Sequence, residues 1–347
     1  MRPGLKPQTL LERVAIGFNL APYPAGEALF EPAVARVLVA GVRLGVFEKL
    51  AGRRMTVDEL AAALGTKRRA TELLLESLAS IDYLDENGSG YTLTRHSRKW
   101  LDPASDTYVG TYLDNTGDYW DWWMQLEDVI RTGEGVEIHE FPPDHPHWDR
   151  YIRGQFELAR LSAGEVAKKL RVPGEPKSLL DVAGGHGWYA AELCRKHPTL
   201  HARVLDLEAS ARVGREIIAE HGMSERVEHE AGDLFTSDLG RPHDVVLTFN
   251  IVHHLEPDEA IDLARRVHAS LVPGGTWAVL DYFKPDSGRK PGAHALLGLF
   301  FFLTSSAATY RESEIREWMS GAGFESTRRV PIRRLPDFQL WEARKAA

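Results

Sequence analysis

SLLDVAGGHG, residues 178–187, continues into WYAAELCRKHP, residues 188–198. The short apolar segment ending at Asp181 predicts a buried strand, and the continuation predicts a helix. Between them Ala183, Gly184, Gly185 and Gly187 let the backbone approach a ligand where larger side chains would collide. A glycine turn alone does not specify that ligand. A second acid narrows it: about 25 residues on, HARVLDLE offers another apolar strand ending in Asp206, whose carboxylate can accept both hydroxyls of a ribose. Together the two segments point to an adenosine-containing ligand.

Strands and helices alternate from Ser178 onward, the pattern of a parallel sheet covered by helices on both faces. RVEHEAGD predicts a third strand near Val227, and HDVVLTFN a fourth, apolar and central. Pro257 starts a helix with Ile261, Ala264, Val267 and Leu271 on one face, and Gly274 and Gly275 turn into a fifth strand, TWAVLDYF. The tail reads as a closing helix and an antiparallel pair. Ligands of such sheets bind beyond the carboxyl ends of the strands. Those ends fall at Asp181, at Asp206, at Gly232–Asp233–Leu234–Phe235, at Asn250 to His254 and near Asp281. Asp206 suits a ribose, Asp233 can accept from an adenine amino group, and Leu234 and Phe235 can sandwich its ring. A pyrophosphate is less well served, because D-x-A-G-G-x-G is not the dinucleotide spacing.

The 347 residues carry 43% apolar and 27% charged side chains, ordinary for a folded soluble chain long enough for two domains. A formal charge of -8 argues against broad attraction to nucleic acid or anionic membranes. Cys194 is the one cysteine, so no intramolecular disulfide can form, which fits a reducing cytoplasm. Glu12 and Arg13 interrupt the apolar core that a signal peptide needs, and the apolar run Ala295–Leu303 is too short to span a bilayer.

Three domains are expected: 1–101, 102–170 and 171–347. In the first, helical patterns begin near Pro32, Thr56 caps TVDELAAALG with Glu59 at the reciprocal position, and YLDENGSGYTLT reads as two strands about an Asn87–Gly88 turn. Helix-turn-helix plus hairpin is a winged helix. Lys67, Arg68 and Arg69 could contact DNA, although a single basic triplet on an acidic chain more often marks a solvated helix start. The second stretch is rich in large rings, Tyr112, Trp120 and Trp123 among them, which serve as helical core or as the wall of a pocket for a planar substrate. HEFPPDHPHW holds His139, Asp144, His145 and His147, but its prolines predict an irregular surface loop rather than a metal site. Phe301, in LLGLFFFL, reads as pocket wall or packing.

The ordered set of a winged-helix region, LLDVAGGHG, VLDLE, AGDLF, NIVHHLEPDE and SLVPGGTWAVLD resembles the class I S-adenosylmethionine-dependent methyltransferases. More closely, it is similar to small-molecule O-methyltransferases with an N-terminal winged-helix dimerisation domain, such as the caffeic acid and acetylserotonin enzymes, over nearly the whole chain. The resemblance implies a Rossmann-like seven-stranded domain, S-adenosylmethionine as cofactor, a homodimer and no metal. It places Asp181, Ala183, Gly184, Gly185, Gly187, Asp206, Leu207, Asp233, Leu234, Phe235 and Asn250 around the cofactor. His253 falls at the family's general base, and Asp281 where plant members orient that base with a glutamate. A methyl sulfonium is already a strong electrophile, so the protein need only align the acceptor and remove its proton.

Several positions depart from the family. Ala183 stands where a glycine is usual, His254 where plant members carry aspartate, Thr309 at the second plant glutamate, and Gln155 at a substrate-flanking methionine. His253 therefore reads as a base or as a buried histidine on a strand-to-helix connection, and His254 as pocket or structure. Methyl transfer to a hydroxyl of an aromatic small molecule is the leading expectation. Transfer to nitrogen or carbon, non-methylating S-adenosylmethionine chemistry and a metabolite-sensing DNA-binding regulator are its rivals.

Overall fold

The computed structural model describes residues 7, 9–20, 22–88, 90–240, 242–286, 293–335 and 337–347. The first residues of the leader reading lie outside these. The chain forms two compact units that divide between Tyr119 and Trp120, so the expected middle stretch, 102–170, contributes to both.

In the N-terminal unit the strands β1 (Met55–Thr56), β2 (Leu84–Asn87) and β3 (Gly90–Leu93) pair in the order β1-β3-β2. They cover a core that includes Val46, Phe47, Leu60, Leu75 and Leu78. Thr56 and Glu59 close the capping box, with Thr56 N donating to Glu59 at 2.7 Å and Glu59 N to Thr56 Oγ1 at 3.3 Å. The first long helix begins at Tyr23 rather than near Pro32, which sits inside it. The basic triplet is engaged locally: Arg68 pairs with Asp58 and Glu72, and Arg69 with Glu72. A row of large apolar side chains stays exposed on the first two helices and their connection, among them Leu10, Leu11, Phe18, Leu20, Leu29 and Phe30.

The second unit holds β4 (Ser178–Val182), β5 (His201–Asp206), β6 (Val227–Ala231), β7 (His243–Phe249), β8 (Leu271–Asp281), β9 (Ser326–Val330) and β10 (Gln339–Arg344). Their order is β6-β5-β4-β7-β8-β10-β9, parallel through β8, with β10 antiparallel to both β8 and β9. Period-two alternation divides the core. Leu179, Val204, Val245 and Leu280 face one helical layer, and Leu180, Leu205, Val246 and Val279 face the other. The helix Pro257–Ser270 stops before Leu271, which opens β8; Gly274 and Gly275 lie within that strand, not ahead of it. No described helix is long and apolar enough to cross a membrane.

Trp277 is buried at 2% exposure, and its indole donates to Thr248 Oγ1 at 2.9 Å across β7 and β8. Trp277→Ala is expected to cost about 3–5 kcal/mol through the cavity it leaves. Urea unfolding followed by circular dichroism measures that loss.

Candidate active site

The strand order reverses beside β4, and there the turn after Asp181 is built from unusual backbone. Ala183, Gly185 and Gly187 all have positive φ, at 53°, 52° and 67°, so the one alanine among them sits in a region that only glycine enters freely. Gly184 is needed for another reason: a Cβ there would lie 2.4 Å from the Asp181 carboxyl carbon. The Gly185 N–H donates to Asp206 Oδ2 at 2.6 Å, and Leu207 N–H to Asp206 Oδ1 at 2.7 Å. Each carboxylate oxygen keeps a further lone pair for a ligand.

Burial raises the pKa of Asp206 and, with the negative charge of Asp206 added, holds Asp181 well above the ordinary carboxylate range. Asp181 Oδ1 is buried without a hydrogen-bond partner, and so is Oδ1 of Asn250, which stands just past β7 at φ 56°. Two orphaned acceptors and a glycine cradle fit a ligand that brings its own donors, as the ammonium and hydroxyl groups of S-adenosylmethionine would.

His229, on β6, is a support that the sequence did not announce. Its Nε2 lies 3.0 Å from the Gly185 carbonyl, and its ring would touch a Cβ placed on Gly187 or Gly214. Its inward place in the period-two pattern Val227–His229 was the available signal. Arg266 is a second such residue: it donates to the carbonyls of Leu234, Phe235 and Ser237 and so braces the loop beyond β6. On that loop Asp233 accepts from Phe235 N–H at 2.6 Å, while Phe235 is 48% exposed.

Beyond β7 and β8, His253 and Asp281 meet. His253 Nδ1 lies 2.6 Å from Asp281 Oδ1, and the His253 N–H donates to Oδ2 at 3.3 Å. The carboxylate thereby fixes the imidazole with its Nε2 lone pair on the opposite edge. Phe301, on the helix Ala293–Ser305, stacks on His253 with centroids 3.7 Å apart, and His254 lies against it at 4.2 Å. His139 contacts His254 edge-on at 4.5 Å.

An aromatic wall continues through Trp122 and Trp123 against Phe300, with His147 stacked on Tyr151. The loop expected to carry His147 on the surface instead folds it in: His147 opens the helix His147–Arg160 at 1% exposure, because its ring packs among Trp122, Phe141 and Tyr151. Gln155 is half-buried on that helix, and Trp120 half-buried at the start of the unit. Tyr112 belongs to the N-terminal unit, on the helix Gly110–Thr116. Thr309 is buried, its hydroxyl donating to the His294 carbonyl at 3.4 Å.

The family signature of the O-methyltransferase domain matches residues 123–325, and that of the O-methyltransferase dimerisation domain matches residues 27–103. The 3-hydroxy-5-methyl-1-naphthoate 3-O-methyltransferase of Streptomyces sahachiroi is 27% identical over 85% of this chain and 87% of its own. An N,N-dimethyltransferase of Streptomyces rimosus is 28% identical over 71% of this chain and 74% of its own. In fold, the chain is similar to human N-acetylserotonin methyltransferase solved with S-adenosylmethionine, with a TM-score of 0.83 at 20% identity over 99% of this chain and 100% of that one.

Gly184→Ala is expected to destabilise the protein by about 1–3 kcal/mol, since Asp181 cannot yield in a packed site; thermal unfolding checks it. Burial pushes His186 down to about 3 and His229 to about 4, so the unfolded chain binds protons there that the folded chain refuses. These groups make stability rise with pH through that window up to the unfolded histidine value near 6.5, and fall on acidification. His186→Gln should lower the slope of stability against pH by about one proton, or ~1.4 kcal/mol per pH unit, in urea titrations between pH 4 and 6.

Proposed function

The chain belongs to the O-methyltransferase family, and on that premise we propose that it moves the methyl group of S-adenosylmethionine to a hydroxyl of an aromatic small molecule, with His253 as general base. S-adenosylmethionine, when bound, supplies an electrophilic methyl group. The chain's own residues hold it and prepare the acceptor. Asp206 takes the ribose hydroxyls, Asp181 and Asn250 offer their orphaned oxygens to its donors, and Asp233, Leu234 and Phe235 flank the adenine. The acceptor ring lies among Phe301, Trp123 and the other aromatic side chains, where stacking and exclusion of water orient it.

The observation that carries this reading is the buried His253–Asp281 pair at 2.6 Å. Asp281 stabilises the imidazolium that forms when Nε2 takes the hydroxyl proton. Residues 1–101 serve dimerisation, and their exposed Leu10, Leu11, Phe18, Leu29 and Phe30 supply an apolar surface for a second copy. Residues 171–347 hold the cofactor, and the aromatic side chains between 120 and 170 wall the acceptor. A cytoplasmic location fits the single buried thiol of Cys194. Recognition of nucleic acid is disfavoured by the net charge of -8 and by the carboxylates already paired with Arg68 and Arg69. A nitrogen acceptor is the second reading, favoured by the similarity to the N,N-dimethyltransferase.

Mass spectrometry of reactions with methyl-labelled S-adenosylmethionine and pooled phenolic and aromatic amine acceptors tests the proposal. His253→Ala should lower labelled product by about 10²–10⁴-fold. Equal product from both proteins would remove His253 as base, and label on amines alone would favour nitrogen. No label despite bound cofactor would favour non-methylating chemistry.

A further inference from the structure

Lys284 carries an ammonium group that no carboxylate among the described residues pairs with. It stands just past β8, in the run Tyr282–Phe283–Lys284. Phe283 turns into the core at 1% exposure, while its two neighbours meet the helix Ala293–Ser305. The Tyr282 ring lies 5.9 Å from Phe301 and 6.4 Å from His294, and Lys284 Nζ is 3.8 Å from the place that a Cβ on Gly298 would take. Burial, and after it the guanidinium of Arg311, pushes the ammonium down from the usual lysine range. Glu314 acts the other way, but its Oε2 already accepts from the Arg311 N–H at 2.6 Å. An arriving anion would offset both costs.

The groups around Lys284 can receive one. His294, Gly298 and Phe301 fall on one face of their helix at i, i+4 and i+7. Phe301 is the ring stacked on His253, and Gly298 precedes it by about 4.5 Å along the helix axis, a spacing that one substituted ring bridges. The bare backbone of Gly298 leaves a hollow. Thr309 Oγ1 lies 2.9 Å from the Cβ position that would fill it, and the bond this hydroxyl makes to the His294 carbonyl is long, at 3.4 Å. Thr309 also stands where the plant enzymes carry a second glutamate, so a group that can donate replaces one that would repel an anion. His294 Nδ1 is buried without a hydrogen-bond partner. Asp337 acts on His294 and not on Lys284.

We propose that the hollow over Gly298 is a carboxylate subsite: Lys284 Nζ and Thr309 Oγ1 bind the carboxylate of an aromatic acid whose hydroxyl lies at His253. The preferred acceptors are then hydroxylated aromatic carboxylates rather than neutral phenols. The assignment rests on the aromatic-acceptor reading above. A hydrogen bond between an ammonium and a carboxylate is stronger than one between neutral groups, and a neutral ester would leave the Lys284 charge unmatched.

The test separates recognition from turnover. Calorimetry measures binding of 3-hydroxybenzoate and 6-hydroxy-2-naphthoate, each beside its methyl ester, to the full-length protein saturated with S-adenosylhomocysteine. For at least one of the two ring sizes the acid should bind about tenfold more tightly than its ester. Lys284→Leu should bring that ratio close to one, and Lys284→Arg, which restores a cation, should recover part of it. Gly298→Ala fills the hollow with the ammonium still in place and should also lower the ratio, so it decides the matter if the leucine variant fails to fold. Esters that bind as tightly as the acids, a ratio that survives Lys284→Leu, or no binding of either acid overturns the proposal. Label transfer from methyl-labelled S-adenosylmethionine is followed in parallel. An intact preference for the acid with no labelled product would leave the subsite standing and remove the methyl-transfer reading; labelled product without that preference would remove the subsite alone.

Discussion

The Gly185 N–H donates to the Asp206 carboxylate at 2.6 Å, and the turn after β4 is organised around that bond. It spans from the turn after β4 to the end of β5, so it forms only when the two strands pair in the observed register, Val182 beside Leu205. That register in turn depends on the alternating burial of Leu179 and Leu180 on opposite faces, because a slip of one residue would reverse every side chain in the strand. Positive φ at Ala183, Gly185 and Gly187 is the conformational cost of bringing the backbone round to Asp206. The missing side chains of Gly187 and Gly214 leave room for the His229 ring, and that of Gly214 also for the Gly185 carbonyl.

The side beyond β7 and β8 follows a different rule. Around Asp206 backbone donors satisfy a carboxylate, whereas at His253, His254 and His139 imidazoles are packed against one another and against Phe301. Burial, and after it the neighbouring imidazoles, disfavours the protonated forms, which keeps His139 down at about 4 and His254 well below its usual range. Of these three rings, His253 is the one whose Nδ1 meets a carboxylate, that of Asp281 at 2.6 Å. The sheet separates these two environments: Asp181 lies one residue before the end of β4 and Asp206 ends β5, while Asn250 follows β7 and Asp281 ends β8.

Strand-end positions were legible in the sequence because a parallel strand buried on both faces is a short apolar run with a definite stop. LLDV, RVLD and AVLD each announce an acid at or beside a carboxyl end, and the cap at Thr56–Glu59 and the hairpin of YLDENGSGYTLT are equally local signals, although Asn87, expected in the turn, is the last residue of β2 and pairs with Gly90. Arg266 and Ser305 were not legible, since each acts on a residue far along the chain and neither belongs to a local pattern; the alternation of β6 turns His229 inward, but its contact with Gly185 lies 44 residues away. The burial of His147 was misread for the same reason. Prolines on either side indicate a loop, and only the packing of Phe141, Tyr151 and Trp122 around the ring makes it core.

The sequence by itself determined a parallel, helix-covered sheet, the glycine turn and the acids that end its strands, since periodicity, turn chemistry and strand length are local properties of the chain. Tertiary structure alone decided which buried oxygens, Asp181 Oδ1 and Asn250 Oδ1, are left without partners and which aromatic rings meet His253. Those are properties of groups brought together from distant segments in a space that excludes water, where every unpaired polar atom carries a cost.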